Sequence, residues 1–240
     1  MSGKRLLLLS SSMVEGAGYL EYPQSEIKDF LGTLVKRVLF IPFAGVRQSW
    51  DEYAEVVRAP FEAMGYKLDP VHQFSNANEA VRSAEAIAVG GGNTFHLLRG
   101  LYETKLIESM KERVMAGTPY IGWSAGSNVA CPTIRTTNDM PIVEPLTLDA
   151  LGLVPFQINP HYLDAQIEGH HGETREQRIA EFIQVNRNVY VVGLREGSML
   201  RIEGSTISLK GEHTARVFKY DEEAREYQPG DSLEFLLQAD

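Results

Sequence analysis

The chain has 240 residues, a net charge of -9 at pH 7 and one cysteine, Cys131. The acidic balance argues against nucleic acid or an anionic membrane surface as a partner, and a single cysteine excludes an internal disulfide framework and a cysteine-rich zinc site. The longest apolar run near the start, Leu6 to Leu9, is too short for a signal-peptide core or a membrane span, so we expect a cytoplasmic protein.

The length, together with the lack of a linker-like or strongly charged block, predicts a single α/β domain over residues 1–240. Short runs of Val, Ile and Leu alternate with longer amphipathic segments, which is typical of a parallel sheet covered by helices on both faces. The predicted strands are Arg5 to Leu9, Val38 to Ile41, Ala86 to Val89, Tyr120 to Gly122 and Val189 to Gly193. We therefore expect three layers, with the carboxyl ends of these strands at one edge.

The amphipathic segments predict helices at Trp50 to about Met64, Asn78 to Ser83, Thr94 to Met115 and Arg175 to Gln184. Pro60 predicts a kink or break in the first of these helices, and Gly100 a break in the third. The last helix has a clear start signal, because Thr174 followed three residues later by Gln177 forms a capping box.

After Gly193 the pattern changes to short alternating runs with glycine-containing turns between them. The runs are Met199 to Ile202, Thr206 to Leu209 and Arg216 to Tyr220. Alternation of this kind, with turns at Glu203-Gly204 and Lys210-Gly211, predicts antiparallel strands near the C-terminus.

The segment Gly122-Trp123-Ser124-Ala125-Gly126 follows the fourth predicted strand. Small residues on both sides of Ser124 let a strand reverse into a helix and leave the hydroxyl exposed, as in a nucleophile elbow. Gly and Ser also occupy ordinary turns, so the pentapeptide alone leaves a structural turn equally open. The residues that follow the other strands decide between the two interpretations, since ligands bind beyond the carboxyl ends of strands in open α/β sheets.

A serine nucleophile needs a base and a third group that orients the base. Among the six histidines we favour His161, because Ile158-Asn159-Pro160 holds it in a rigid, non-helical loop after a hydrophobic stretch. Glu196, which follows a central strand, is the favoured third member. Asp139 is the alternative third member. It lies in a Thr/Asn-rich loop, where Asx turns commonly explain an aspartate, and we otherwise expect it to shape the site.

An acyl-transfer reaction also needs two N–H donors for the oxyanion of the tetrahedral intermediate. The backbone N–H of Ala125 is one candidate, and an amide of the Gly90-Gly91-Gly92 run, from Gly91 or Gly92, is the other. The same glycine run is a weak match for a phosphate cradle, because it lacks the Walker Lys-Ser/Thr and the Gly-x-Gly-x-x-Gly spacing. These parts together favour an acyl-transfer hydrolase over a nucleotide-binding protein.

Six segments, in one order along the chain and without large insertions, carry a resemblance to a known family. They are IPFAGV at 41–46, VGGGNTF at 89–95, GWSAG at 122–126, CPTIRTTNDMPIV at 131–143, INPH at 158–161 and GETREQR at 172–178. The set resembles the peptidase E family of α-aspartyl dipeptidases. This resemblance implies a serine peptidase with a class I glutamine-amidotransferase-like, flavodoxin-like fold that cleaves small acidic dipeptides with N-terminal aspartate.

On the family's pattern Ser124 is the nucleophile, His161 the base and Glu196 the third member, with Asp139 matching an aspartate also considered for that role. The chain order Ser, His, acid differs from the Ser, acid, His order of α/β-hydrolases, which argues against a lipase or esterase. No metal and no organic cofactor is implied.

Selectivity for aspartate requires a cation that faces the substrate carboxylate. We favour Arg175 for this role, since the first turn of a helix is otherwise an unfavourable place for a positive charge. Arg178 and Arg135 are the further candidates. Asn93 is a further expected substrate contact.

Cys131, on a mostly apolar segment, is expected to be a packing thiol rather than a nucleophile.

Two alternatives remain open at this point. One is a hydrolase of the same scaffold that acts on other aspartyl or ester bonds, and the other is a non-catalytic small-molecule binder. The oligomeric state, monomer or homodimer, does not follow from the sequence.

Overall fold

The computed structural model describes residues 3–164 and 172–238. Within these ranges the strands are β1 (Arg5–Leu9), β2 (Arg37–Ile41), β3 (Lys67–Pro70), β4 (Ile87–Val89), β5 (Tyr120–Trp123), β6 (Gln157–Pro160), β7 (Val191–Leu194), β8 (Ser198–Glu203), β9 (Thr206–Gly211), β10 (Ala215–Phe218) and β11 (Arg225–Tyr227). The α-helices are α1 (Gln24–Leu31), α2 (Trp50–Met64), α3 (Ala77–Ser83), α4 (Thr94–Glu103), α5 (Ile107–Met115), α6 (Ala125–Asn128) and α7 (Arg175–Val185).

The larger sheet has seven strands in the order β3-β2-β4-β5-β1-β8-β9. The first five of these strands run parallel, and β8 and β9 are antiparallel to their neighbours. Both faces are buried. In β1, Leu6 and Leu8 join the core beneath α3–α6, whereas Leu7 and Leu9 join the core beneath α1 and α2. The expected mostly parallel α/β sheet with helices on both faces, and antiparallel strands toward the C-terminus, is confirmed.

The smaller sheet has four strands in the order β11-β10-β7-β6. Here β6 and β7 are parallel, and β10 and β11 are antiparallel to their neighbours. The predicted strand at Val189 to Gly193 was expected in the larger sheet, and that placement is wrong. The strand forms as β7 but pairs with β6, because β8 pairs with β1 and extends the larger sheet in its place.

The four helices predicted from the sequence are present at their predicted positions apart from the breaks, whereas α1 was not predicted. The helix at Trp50–Met64 continues through Pro60, so the break predicted there does not occur. The carbonyl of Val56 has no N–H partner at position 60, because proline lacks the N–H. The break expected near Gly100 falls instead after Glu103. Gly100 lies within α4, where a Cβ would be 3.0 Å from the ring of Phe43, so the glycine allows close packing of α4 on that ring.

The capping box predicted at the start of α7 is confirmed. Gln177 N donates to Thr174 Oγ1 at 3.2 Å, and Thr174 N donates to Gln177 Oε1 at 2.8 Å. In the part of the chain that the structure describes, no helix combines the length and the apolar character needed to cross a membrane.

Candidate active site

Ser124 lies at a sharp turn between β5 and α6, as the pentapeptide predicts. Its backbone has φ 51° and ψ -109°, a combination that a residue with a side chain rarely adopts. The turn is tight enough to require glycine on both sides. A Cβ at Gly122 would lie 2.4 Å from Gly126 O, and a Cβ at Gly126 would lie 2.2 Å from Val89 O. Strain of this kind persists only where the surrounding structure fixes the conformation.

His161 follows β6 and Glu196 follows β7. Because these strands are parallel neighbours, their carboxyl ends deliver the two side chains to the same place. His161 Nε2 lies 2.9 Å from Ser124 Oγ, and His161 Nδ1 lies 2.6 Å from Glu196 Oε1. A carboxylate can only accept, so the proton of the neutral imidazole is on Nδ1 and Nε2 accepts from the Ser124 hydroxyl. The three side chains thus form one continuous hydrogen-bonded chain.

Asp139 does not take part in this chain of hydrogen bonds. Its Oδ2 accepts from Thr94 N at 2.8 Å, from Thr94 Oγ1 at 2.6 Å and from Thr137 Oγ1 at 3.1 Å. The structure therefore places Glu196, and not Asp139, against His161, and the catalytic role of either carboxylate stays a prediction. The threonines around it hold Asp139 at the wall of the cavity in front of Ser124.

The histidine is also held through its backbone, by a residue that the sequence analysis did not single out. Ser10, which directly follows β1, is fully buried. His161 N donates to Ser10 Oγ at 2.9 Å, and Ser10 Oγ donates to Leu194 O at 2.7 Å. His161 has φ 53°, so its backbone needs such support. A serine directly after a buried strand was the available signal.

The predicted oxyanion donors lie beside the nucleophile. Gly90 N is committed to Ile41 O at 3.1 Å, and Asn93 N to Ala44 O at 2.9 Å. Between them, the N–H groups of Gly91 and Gly92 have no protein acceptor within residues 3–164 and 172–238, and the same holds for Ala125. A Cβ at Gly91 would lie 3.3 Å from Ser124 Cβ, which shows how closely the glycine loop approaches the serine.

A cavity of about 560 Å³ opens in front of Ser124 and His161. Its wall includes Gly91, Gly92 and Asp139, together with residues that the sequence analysis missed: Tyr19, Tyr53 and Arg47. Within the described residues, no group of three or more His, Cys, Asp or Glu side chains is arranged to hold a metal ion.

Asn93 lines this cavity, but protein contacts already hold both ends of its amide. Its Oδ1 accepts from His96 N at 3.0 Å and caps α4, and its Nδ2 donates to Met140 O at 2.9 Å. A capping role explains this side chain fully, and the substrate contact expected from the sequence stays a prediction.

Arg175 is half-buried at the first position of α7 and does not belong to the wall of the cavity. Burial and the neighbouring Arg178 lower the pKa of its guanidinium, and the Asp139 carboxylate opposes that shift. The positive charge therefore lies near Asp139, at one end of the site. Of the other arginines considered for the substrate carboxylate, Arg178 pairs with Glu173 at 3.7 Å and Arg135 is exposed.

Cys131 is fully buried, and burial raises the pKa of its thiol to about 12. A thiol with such a pKa carries almost no thiolate at neutral pH. The expectation of a packing residue agrees with this environment.

A family model described as Peptidase family S51 matches residues 6–210. The chain belongs to peptidase family S51. This assignment confirms the resemblance to peptidase E and the prediction of a peptide hydrolase. The match runs through every segment on which the resemblance depends.

Individual relatives of this S51 peptidase agree with the family model. A protein named peptidase E from Nostoc sp. is 56% identical over 235 residues, covering 98% of this chain and 97% of the relative. A probable alpha-aspartyl dipeptidase from Drosophila melanogaster is 46% identical over 240 residues, covering 99% of each chain.

Solved structures show the same fold. A putative peptidase E protein from Listeria monocytogenes superposes with a TM-score of 0.65 at 27% identity, over 88% of this chain and 100% of the other. A peptidase from an acI-B1 actinobacterium superposes with a TM-score of 0.69 over 97% of each chain, and at 18% identity this second likeness concerns the fold alone.

Proposed function

We propose that this S51 peptidase is a serine dipeptidase that hydrolyses dipeptides with N-terminal aspartate. The observation that carries the proposal is the hydrogen-bonded chain from Ser124 through His161 to Glu196. The name of the Drosophila relative, a probable alpha-aspartyl dipeptidase, supports aspartate as the N-terminal residue.

In the proposed mechanism Ser124 Oγ attacks the carbonyl carbon of the Asp-Xaa bond while its proton moves to His161 Nε2. Glu196 then stabilises the imidazolium that forms, because its carboxylate accepts from Nδ1. The N–H groups of Ala125 and of Gly91 or Gly92 donate to the oxyanion. His161 returns its proton to the leaving amine, and water, activated by the same histidine, hydrolyses the aspartyl-enzyme ester.

Recognition of an N-terminal aspartate needs one acidic and one basic group at the site. Asp139 lines the cavity, and only its Oδ2 is used by the threonines, so Oδ1 can accept from the substrate α-ammonium. Two arginines can provide the cation for the substrate carboxylate. Arg175 lies near Asp139, and Arg47 lies at the wall of the cavity.

The proposal is tested by hydrolysis of Asp-Leu beside Leu-Leu, Glu-Leu and N-acetyl-Asp-Leu, with wild type and Ser124→Ala assayed together. We expect cleavage of Asp-Leu alone, and its loss in the variant. Cleavage of N-acetyl-Asp-Leu or of aspartyl esters in preference to Asp-Leu would favour the same-scaffold hydrolase of other bonds. Binding of Asp-Leu without turnover, unchanged in Ser124→Ala, would favour a non-catalytic binder.

Three expectations from the sequence stay predictions. They are the single domain over residues 1–240, the cytoplasmic location, and a monomeric or homodimeric state.

A further inference from the structure

The buried side chain of Tyr53 connects helix α2 to the glycine loop behind the nucleophile. The residue is 4% exposed, and its ring packs edge-on against Phe40 with the ring centroids 5.2 Å apart. Its hydroxyl lies directly beneath the loop, since a Cβ on Gly90 would lie 2.6 Å from it. The proposed mechanism assigns no role to the Tyr53 hydroxyl.

The direction of each hydrogen bond around Tyr53 follows from the partners. Gly91 O can only accept, so the Tyr53 hydroxyl donates to it, at 2.9 Å. The hydroxyl has no second proton, and Tyr19 therefore donates to Tyr53, at 3.0 Å. The indole N–H of Trp123 is shared between Tyr19 at 2.9 Å and Tyr53 at 3.2 Å. Burial raises the pKa of the Tyr53 hydroxyl, so its proton stays in place at neutral pH.

The peptide unit that Tyr53 contacts contains the N–H of Gly92, one of the two glycine N–H groups expected to donate to the oxyanion. In a trans peptide the C=O of Gly91 and the N–H of Gly92 point in opposite directions, and this peptide is trans. Fixing the carbonyl on Tyr53 therefore fixes the direction of the Gly92 N–H. Gly92 lines the cavity in front of Ser124, and its N–H has no acceptor in the part of the protein that the structure describes.

Without Tyr53, little else would prevent this peptide from rotating. Hydrogen bonds anchor the loop at Gly90 N and at Asn93 N, on either side of the Gly91–Gly92 peptide. Glycine permits backbone angles that other residues avoid, so a peptide between two glycines can flip at small cost while its flanks stay fixed. A flip would reverse the directions of the Gly92 N–H and the Gly91 carbonyl.

We propose that Tyr53 is a positioning residue for the oxyanion hole, and that its hydroxyl holds the Gly91–Gly92 peptide with the Gly92 N–H directed at the developing oxyanion. The proposal rests on the proposed function, because it assigns a purpose to an oxyanion hole. It also explains why a helix far from the nucleophile in sequence contributes a buried phenol to this site.

The test compares Tyr53→Phe, which removes the hydroxyl and keeps the ring, with wild type. Loss of an oxyanion donor typically lowers kcat about 100- to 1000-fold, and a donor that is only misdirected part of the time should lower it about 10- to 100-fold. We expect that loss in kcat for Asp-Leu, with KM changed less than about twofold. The affinity for an aminoalkyl boronic acid bearing the aspartate side chain, which forms a tetrahedral adduct with serine, should fall by the same factor.

The control is Tyr66→Phe, which removes a buried tyrosine hydroxyl that donates to Gly32 O at 3.1 Å, away from the cavity in front of Ser124. We expect its boronate affinity to fall less than about threefold. Equal losses of boronate affinity in the two variants would overturn the proposal, since the hydroxyls would then contribute only to packing. Unchanged kcat and unchanged boronate affinity in Tyr53→Phe would overturn it as well.

Crystal structures of wild type and Tyr53→Phe provide a readout that does not depend on the substrate. We expect the Gly91–Gly92 peptide to be flipped, or present in both orientations, in the variant alone. This measurement stands even if Asp-Leu is not a substrate, so failure of the proposed function and failure of this inference are distinguishable. A single, unflipped peptide in Tyr53→Phe would contradict the inference.

If Tyr53→Phe does not fold, 4-aminophenylalanine at position 53 replaces it as the test variant. This residue keeps a hydrogen-bond donor at the same place on the ring, so boronate affinity should stay within about threefold of wild type. A folded protein with that residue and a loss of more than about tenfold would count against the inference.

Discussion

The sharpest prediction concerns which carboxylate assists His161. Glu196→Ala removes the acceptor 2.6 Å from Nδ1, whereas Asp139→Asn changes a carboxylate whose hydrogen-bond partners among the described residues are Thr94 and Thr137. Removing the orienting carboxylate of a buried Ser-His-Asp triad lowers kcat about 10,000-fold, or about 5.4 kcal/mol at about 1.36 kcal/mol per factor of ten.

The pair in this protein is more accessible to water. The Glu196 side chain is 57% exposed and that of His161 is 39% exposed. Water can therefore take over part of the role of the carboxylate, because exposed charge pairs contribute less than buried ones. We expect Glu196→Ala to lower kcat about 100-fold, about 2.7 kcal/mol. Glu196→Gln, which keeps an acceptor and loses the charge, should lower kcat by about a factor of 10.

The assay is steady-state hydrolysis of Asp-Leu, with kcat and KM determined separately. Glu196 does not line the cavity, so we expect KM to stay within about twofold in its variants. Asp139 does line it, so Asp139→Asn should raise KM more than it lowers kcat. The assignment of Glu196 as the carboxylate that assists His161 would be refuted if Asp139→Asn lowered kcat about 100-fold at constant KM while the kcat of Glu196→Ala stayed within about threefold of wild type.

Three further predictions concern a buried hydroxyl, an exposed carboxylate that accepts from backbone N–H groups, and a tightly packed glycine. Ser10→Ala leaves His161 N–H and Leu194 O without their hydroxyl partner, so we expect about 1–3 kcal/mol lower stability in denaturant titration and a lower kcat. Ser109→Ala, a buried serine on α5, is the control that should lower stability alone. Glu85 accepts from Lys36 N at 2.6 Å and Arg37 N at 3.0 Å, which lowers the pKa of its carboxyl. Its carboxylate thus stabilises the fold above the ordinary pKa of about 4.3, and this contribution is lost as pH falls through the lowered pKa. Glu85→Gln should accordingly lower the Tm at pH 7. The difference in Tm between wild type and variant should narrow between about pH 5 and pH 3, and a constant difference would contradict a contribution from the Glu85 carboxylate. Gly126→Ala should destabilise the protein by about 1–3 kcal/mol or prevent folding, because its Cβ would lie 2.2 Å from Val89 O, and a wild-type Tm would show that the elbow relaxes freely.

Local signals in the sequence predicted local structure well. Helix α2 and strand β1 have the predicted ends, because periodicity and start signals act over a few residues. The elbow was predicted for the same reason, since glycine at 122 and 126 is required by contacts within the turn and with the adjacent strand.

Pairing between distant segments was not predictable in the same way. The run that forms β7 has the apolar character of a strand from the larger sheet, and nothing within it specifies β6 as its neighbour. The partner was missed because β6 is a four-residue strand that includes Asn159 and Pro160, two residues depleted in strands. Tyr53 was missed for a different reason, since a buried tyrosine on a helix face has the same spacing as an ordinary core residue.

The two sheets meet at the candidate active site. The proposed catalytic side chains come from both sheets, and this origin explains why polar side chains are buried where the sheets join. The nucleophile follows the larger sheet, whereas His161 and Glu196 follow the smaller one, so the 2.9 Å contact between Ser124 and His161 depends on how the sheets are joined. Buried polar side chains join them. Ser10 links the end of β1 to Leu194 O and His161 N, and Asn128 Nδ2, one turn beyond the nucleophile, donates to Ile158 O at 2.9 Å. Apolar packing would hold the sheets together without specifying their offset, whereas a buried hydrogen bond tolerates little displacement. The catalytic geometry is thus maintained by polar contacts that the hydrophobic pattern of the sequence does not reveal.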